Sequence, residues 1–226
     1  MMNMTDYDVY LFDFDFTLVN ALPGIVKSYN YAFQTYGLPA RDDLTVKNTV
    51  GLPVPTSFML MNDRVDETLA KKLEDTFTKA ADVYMNANTS FLPGSRAFLE
   101  KLTAAGKRMG VVTTKKAYRI HEFFASQGMA DCLSLVIGGE EVKVHKPDPE
   151  GLLLACAHFQ KQFGIPKERV LYIGDNEVDA GAAEGAGVDF AAVLTGTTPR
   201  EAFLKHPHKL LCADMTALAE ALLERK

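Results

Sequence analysis

Two aspartates one residue apart, Asp13 and Asp15, close the apolar run Val9-Tyr-Leu-Phe, and Thr17 follows at the same spacing. Side chains alternate along an extended strand, but a turn at its end can swing both carboxylates toward one point. Neighbouring carboxylates repel, so a folded chain keeps them close only around a cation or a shared proton. Such a pair offers an oxygen nucleophile, a proton carrier and the start of a site for a hard metal ion.

Three further apolar runs end in polar residues. Gly110-Val-Val leads into Thr113-Thr114-Lys115, and Val144-His into Lys146 ahead of Pro-Asp148-Pro. Leu171-Tyr-Ile-Gly174 delivers Asp175, with Asp179 four residues on. Singly, Thr113-Thr114 and Lys146 read better as a helix cap or a solvated turn than as catalytic residues, and Asp175 reads equally well as either. In this order, behind regularly spaced strands, they read as parts of one site. The five histidines show no ligand spacing beyond the short pair His206 and His208, and His145 reads as a bystander beside Lys146. Lys115, Lys116 and Arg119 read as a solvated helix start, with Lys115 in reach of an anionic substrate. Met59 and Met61 read as packing.

The elements that position these residues follow from hydrophobic period. Val9 to Phe12 is a short buried strand. From Leu22 to Asn88 strand signals are scarce. Ile25, Tyr29, Ala32, Phe33 and Tyr36 form one helical stripe ending at Gly37, and Asp63 to Met85 carries a second. Gly51-Leu-Pro53-Val-Pro55 between them is expected to break regular structure. After Gly94 helices and strands alternate: helices over 97–105, 117–127, 149–163, 178–186 and 215–223, and strands over 108–113, 133–137, 170–173 and 188–194. Alternation of this kind implies an α/β fold, a Rossmann-like parallel sheet covered on both faces. Residues 1–20 and 89–226 form this core and 21–88 an inserted all-helical domain. Ligands of such sheets sit at the carboxyl ends of the strands, where the four polar endings fall.

The chain has 226 residues, 47% of them hydrophobic, and a formal net charge of -5. A core of ordinary size and an acidic balance argue against a nucleic-acid partner. An anionic substrate then needs local lysines or a metal. Cys132, Cys156 and Cys212 lack metal-ligand spacing and read as free thiols. The leading MMNMTDYDVY is acidic and lacks a long apolar core, so no export signal is expected; nor is a membrane partner. A cytoplasmic protein, monomer or homodimer, is the expectation.

In order, the four segments resemble the four motifs of the haloacid dehalogenase-like superfamily, chiefly its aspartate-dependent phosphatases. Val111-Val-Thr-Thr-Lys115, Lys146-Pro-Asp-Pro-Glu150, Gly174-Asp-Asn and Gly51-Leu-Pro53 are most similar to the phosphoglycolate phosphatase and pyrophosphatase branch. The resemblance implies a cap domain over 21–88 and catalytic roles for Asp13, Asp15 and Lys146. Asp13 would be the nucleophile that forms an aspartyl-phosphate, and Asp15 the general acid and base. Mg²⁺ would be held by Asp13, the Asp15 carbonyl and Asp175. Thr113, Thr114 and Lys146 would bind phosphate, with Thr17 and Asp179 behind them, Thr17 shaping its own turn. Arg41, Lys47, Asn48, Thr56, Ser57 and Arg64 are the cap's polar candidates for substrate contact.

Two positions depart from the family pattern: Phe16 stands where most relatives carry glycine, and Asn20 where they carry aspartate. Glycine permits a positive φ that phenylalanine adopts only at a cost. The implied activity is Mg²⁺-dependent hydrolysis of a small phosphorylated metabolite, phosphoglycolate first. The alternatives are a pyrophosphatase, a sugar phosphomutase and a non-catalytic phosphate-binding regulator.

Overall fold

The computed structural model describes residues 6–223, for Leu223 the backbone alone, so the first half of MMNMTDYDVY, the stretch expected to carry no export signal, lies outside the described residues. The chain divides into two compact units. One holds the residues up to Val19 and from Phe91 onward, the other Asn20–Ser90.

β1 (Val9–Phe12) and the short β2 (Val19–Asn20) precede four helices: α1 (Leu22–Thr35), α2 (Asp43–Lys47), α3 (Val54–Met61) and α4 (Glu67–Tyr84). β3 (Ser90–Phe91) pairs with β2 where the chain passes between the units. Alternation follows: α5 (Ser95–Ala104), β4 (Arg108–Val112), α6 (Ala117–Ser126), β5 (Leu135–Ile137), α7 (Glu150–Phe163), β6 (Val170–Gly174), α8 (Glu177–Ala186) and β7 (Asp189–Val193). The chain closes with α9 (Arg200–Phe203), β8 (Leu210–Cys212) and α10 (Met215–Leu223).

Among the described residues six strands form one parallel sheet in the order β5-β4-β1-β6-β7-β8. All four side chains of β1 are fully buried, as expected of a strand covered on both faces. The order runs outward from β1 in both directions, so β1 stands at the topological switch point, where such sheets bind ligands. Phe12 is level with Val111 on β4 and Ile173 on β6, so Asp13 emerges between the ends of both neighbours. The Asp13 amide extends the ladder by donating to the Ile173 carbonyl at 2.9 Å.

The helical unit is packed around aromatic rings. Phe58 of α3 lies edge-on to Tyr29 and Phe33 of α1, at centroid distances of 4.8 and 5.1 Å, and Phe77 of α4 lies 4.4 Å from Tyr29. Gly51 to Pro53 breaks regular structure as expected, but Val54-Pro55 does not. Pro55 sits in the first turn of α3, where a missing N–H breaks no intrahelical bond. α4 begins at Glu67 rather than Asp63 because the Asp66 carboxylate caps it, accepting from the Leu69 amide at 2.8 Å. Among the described residues no helix is long and apolar enough to cross a membrane.

Candidate active site

Three polar strand ends, after β1, β4 and β6, converge beside β1, whereas Val144 and His145 form no strand and Lys146 joins from the segment between β5 and α7. Lys146, which begins a cis peptide bond to Pro147, reaches across from the segment before α7. Its ammonium donates to Asp13 Oδ1 at 2.8 Å, to Asp179 Oδ1 at 2.5 Å and to the Tyr172 hydroxyl at 3.0 Å. The Thr17 hydroxyl donates to Asp175 Oδ1 at 2.7 Å, a partner 158 residues away rather than one in its own turn. Thr113, Thr114 and Lys146 line one small cleft, with His145 at its exposed edge.

Backbone geometry makes this convergence possible. Asn176 caps α8 through its side chain, and Asp179 Oδ2 accepts from the Asn176 amide at 3.0 Å in return. That leaves Asp179 Oδ1 for Lys146 and Tyr172. Gly174 is required here: a Cβ on it would lie 2.5 Å from that of Asp179.

Charge is unbalanced in this pocket. One oxygen from each of Asp13, Asp175 and Asp179 lies within 4.8 Å of the others, and among these contacts Lys146 supplies one compensating ammonium. Burial lifts the Asp13 carboxyl to about 6 against the pull of Lys146, with Asp179 and Asp15 adding to the rise. Burial, then Asp13 and Asp179, pushes Asp175 well above the carboxylate range. Burial opposes the charge on Lys146, but Asp13 and Asp179 outweigh it and hold the ammonium protonated. Buried carboxylates short of positive charge, with hard oxygen donors, fit a divalent cation. Asp179 has both oxygens engaged, so Asp13 and Asp175 are the side chains left to hold one.

Phe16 takes the conformation that glycine would favour, with φ of 63°. The turn is held from three sides. The Phe16 amide donates to the Val19 carbonyl at 2.8 Å, its carbonyl accepts from the Thr195 hydroxyl, and its ring is buried. These contacts offset a backbone cost on the order of 1 kcal/mol.

Five features escaped the sequence reading. Tyr172 is the hydroxyl-bearing residue of β6, and a buried hydroxyl in an apolar strand signals a polar partner. Thr195-Gly196 follows β7 as the other endings follow their strands. A Cβ on Gly196 would overlap the Asp175 carboxylate, so this loop closes over the site. Arg119 is buried, not solvated. Lys115 is buried as well and bound to Asp15. Ser57 is buried too and bonds the Thr49 and Pro53 carbonyls, which gives it a structural task.

A doubly wound sheet with a carboxylate cluster, a buried lysine and a helical insert defines a class of hydrolases. The chain belongs to the haloacid dehalogenase-like hydrolase family, whose description matches residues 10–193. Hydrolases of this family generally use a divalent metal, in keeping with the cluster of Asp13, Asp175 and Asp179. The phosphoglycolate phosphatase of Cereibacter sphaeroides is 30% identical over 190 residues, 82% of this chain and 84% of that protein. The phosphoglycolate phosphatase of Nitrosococcus oceani is 31% identical over 196 residues, 84% of each. A Bacteroides fragilis crystal structure assigned to the haloacid dehalogenase-like hydrolases superposes with a TM-score of 0.85 at 38% identity. The match covers 94% of this chain and 99% of that one.

Proposed function

We propose that this hydrolase is a Mg²⁺-dependent phosphatase of a small phosphorylated metabolite, phosphoglycolate first among them, acting through an aspartyl-phosphate on Asp13. The observation that carries this reading is the Asp13 carboxylate, fixed by Lys146 beside Asp175 at the switch point of the sheet. Two curated relatives named phosphoglycolate phosphatase support the substrate class.

Asp13 attacks phosphorus with a carboxylate oxygen. The bond from phosphorus to the leaving oxygen breaks, that oxygen keeps the electron pair, and a proton from Asp15 neutralises it. Asp15, now anionic, then takes a proton from water. The resulting hydroxide attacks phosphorus, and the bond to Asp13 breaks with its electron pair returning to the carboxylate. Lys146 places positive charge against Asp13 and the transferring group throughout. Thr113 and the backbone around Thr114 donate to phosphoryl oxygens. Asp13, the Asp15 carbonyl and Asp175 would hold Mg²⁺, which when bound neutralises charge between the attacking carboxylate and the phosphate.

The test is phosphate release from phosphoglycolate, p-nitrophenyl phosphate and a panel of sugar phosphates, nucleotides and pyrophosphate, with and without Mg²⁺. Turnover that needs the metal, with the highest kcat/KM for a small monoester, is expected. A folded, metal-loaded sample inert on the whole panel would sink the phosphatase reading.

A further inference from the structure

Asp13 and Asp15 each bind a different lysine. Lys146 takes Asp13; Lys115, just past the end of β4, takes Asp15. Its Nζ lies 2.6 Å from Oδ1 and 2.8 Å from Oδ2, a contact with both oxygens bridging 100 residues of chain. Only 5% of the Lys115 side chain is exposed, against 15% for Asp15. The ammonium also stands 5.3 Å from the centre of the Phe14 ring. The Lys115 backbone is fixed at both ends. Its amide donates to the Thr113 hydroxyl at 3.3 Å, and its carbonyl accepts from the Gly139 amide at 3.1 Å.

Burying a lysine against a single carboxylate returns little stability, because desolvation consumes most of the attraction. A device of that kind is better explained by what it does to its partner. Bidentate contact holds the Asp15 carboxylate in one orientation, in a largely buried pocket where charge is screened less than in bulk water.

We propose that Lys115 is a positioning residue for Asp15. It fixes the carboxylate toward the leaving group and meets the charge left on Asp15 once its proton has gone to the leaving oxygen. This inference rests on the acid role proposed for Asp15. As the bond from phosphorus breaks, the electron pair goes to the leaving oxygen and the Asp15 proton follows. Asp15 ends anionic against the Lys115 ammonium, and no other reactant is needed.

The consequence depends on the leaving group. An alkoxide of high pKa needs the proton as the bond breaks, whereas p-nitrophenolate leaves without it. The experiment compares kcat/KM, which reports phosphoryl transfer to Asp13, for alkyl and aryl phosphates across a range of leaving-group pKa. Lys115→Met is expected to lose roughly 10–100-fold on alkyl phosphates and less than about threefold on p-nitrophenyl phosphate. Lys115→Arg should restore most of the alkyl activity. Lys115→Gln, which keeps a hydrogen-bond donor without the charge, substitutes if the Met variant fails to fold.

Asp15→Asn provides the internal reference. A steep leaving-group dependence in Asp15→Asn together with an even loss across substrates in Lys115→Met or Lys115→Gln would overturn the role of Lys115 alone. An even loss in Asp15→Asn would remove the acid role of Asp15, and this inference with it.

Discussion

The two units hold their polar groups in different ways. In the helical unit most side-chain hydrogen bonds are local: Asp42 to Thr45, Asp66 to Leu69, Ser28 to Gly24, Thr35 to Tyr31. They cap or brace single helices, and cohesion comes from the rings of Tyr29, Phe33, Phe58 and Phe77. In the α/β unit the buried polar contacts span long stretches of chain. Lys146 reaches back 133 residues to Asp13, Thr17 reaches 158 forward to Asp175, and Thr195 anchors Phe16 across 179. Local bonds serve secondary structure. Contacts that converge from several strand ends, buried and unbalanced in charge, are better explained by a ligand.

The sharpest way to break that contrast is to remove the cation at its centre. Lys146→Met leaves Asp13 and Asp179 buried without their ammonium, and the Tyr172 hydroxyl without its donor. Removing one partner of a buried pair costs about 3–5 kcal/mol, because the charge left behind is uncompensated. Under the proposed function, Lys146→Met also removes a fixed positive charge from the transferring group, with an expected loss of about 100- to 1000-fold in kcat. Urea denaturation and steady-state phosphate release measure the two. A variant that keeps wild-type turnover would show the convergence to be structural.

A second test uses the imbalance of charge itself. The Asp13 carboxyl is raised from 3.8 to about 6 in the fold, so between those values the native state binds more protons than the unfolded one. The corresponding stability is fully present below about pH 3.8 and is lost as pH rises through about 6. Metal-free wild type should therefore lose about 2 kcal/mol relative to Asp13→Asn between pH 4 and pH 7, with Asp175 acting in the same direction. Saturating Mg²⁺ should reverse that trend, since a bound cation favours the ionised cluster. Parallel unfolding midpoints for the two proteins across this range would show that the aspartates carry no such strain.

What was legible in the sequence divides along the same line. Unbroken apolar runs such as Val9-Tyr-Leu-Phe reveal the sheet, and the polar residues after β1, β4 and β6 mark three strand ends; Val144-His-Lys146 reads as a fourth but lies in the loop between β5 and α7. Boundaries moved where a cap decides them, as Asp66 does for α4. The partner of Lys115 was not legible, because nothing in Thr113-Thr114-Lys115 records that β4 lies beside β1. Only the parallel register brings Lys115 to Asp15. Phe16 looked like a liability because the contacts that hold its turn come partly from Thr195, on a loop whose meaning depends on β7 lying two places from β1. Tyr172 was missed for a different reason. Its hydroxyl sits in a strand that is otherwise apolar and reads as pure core.

The smallest expected effect tests the local side of the contrast. Asp66→Ala removes the carboxylate that caps α4, leaving the Leu69 amide without that acceptor. The cost should be about 1 kcal/mol, typical of losing such a cap, and a urea midpoint would register it. The bond joins residues three apart, is exposed, and among the described residues leads to no buried polar group. Its loss should stop there, with kcat/KM for p-nitrophenyl phosphate unchanged at concentrations of denaturant where the chain stays folded. A fall in kcat/KM comparable to that of the strand-end variants would mean that this cap feeds into the site. The separation between local bonds that build helices and distant bonds that build chemistry would then no longer hold.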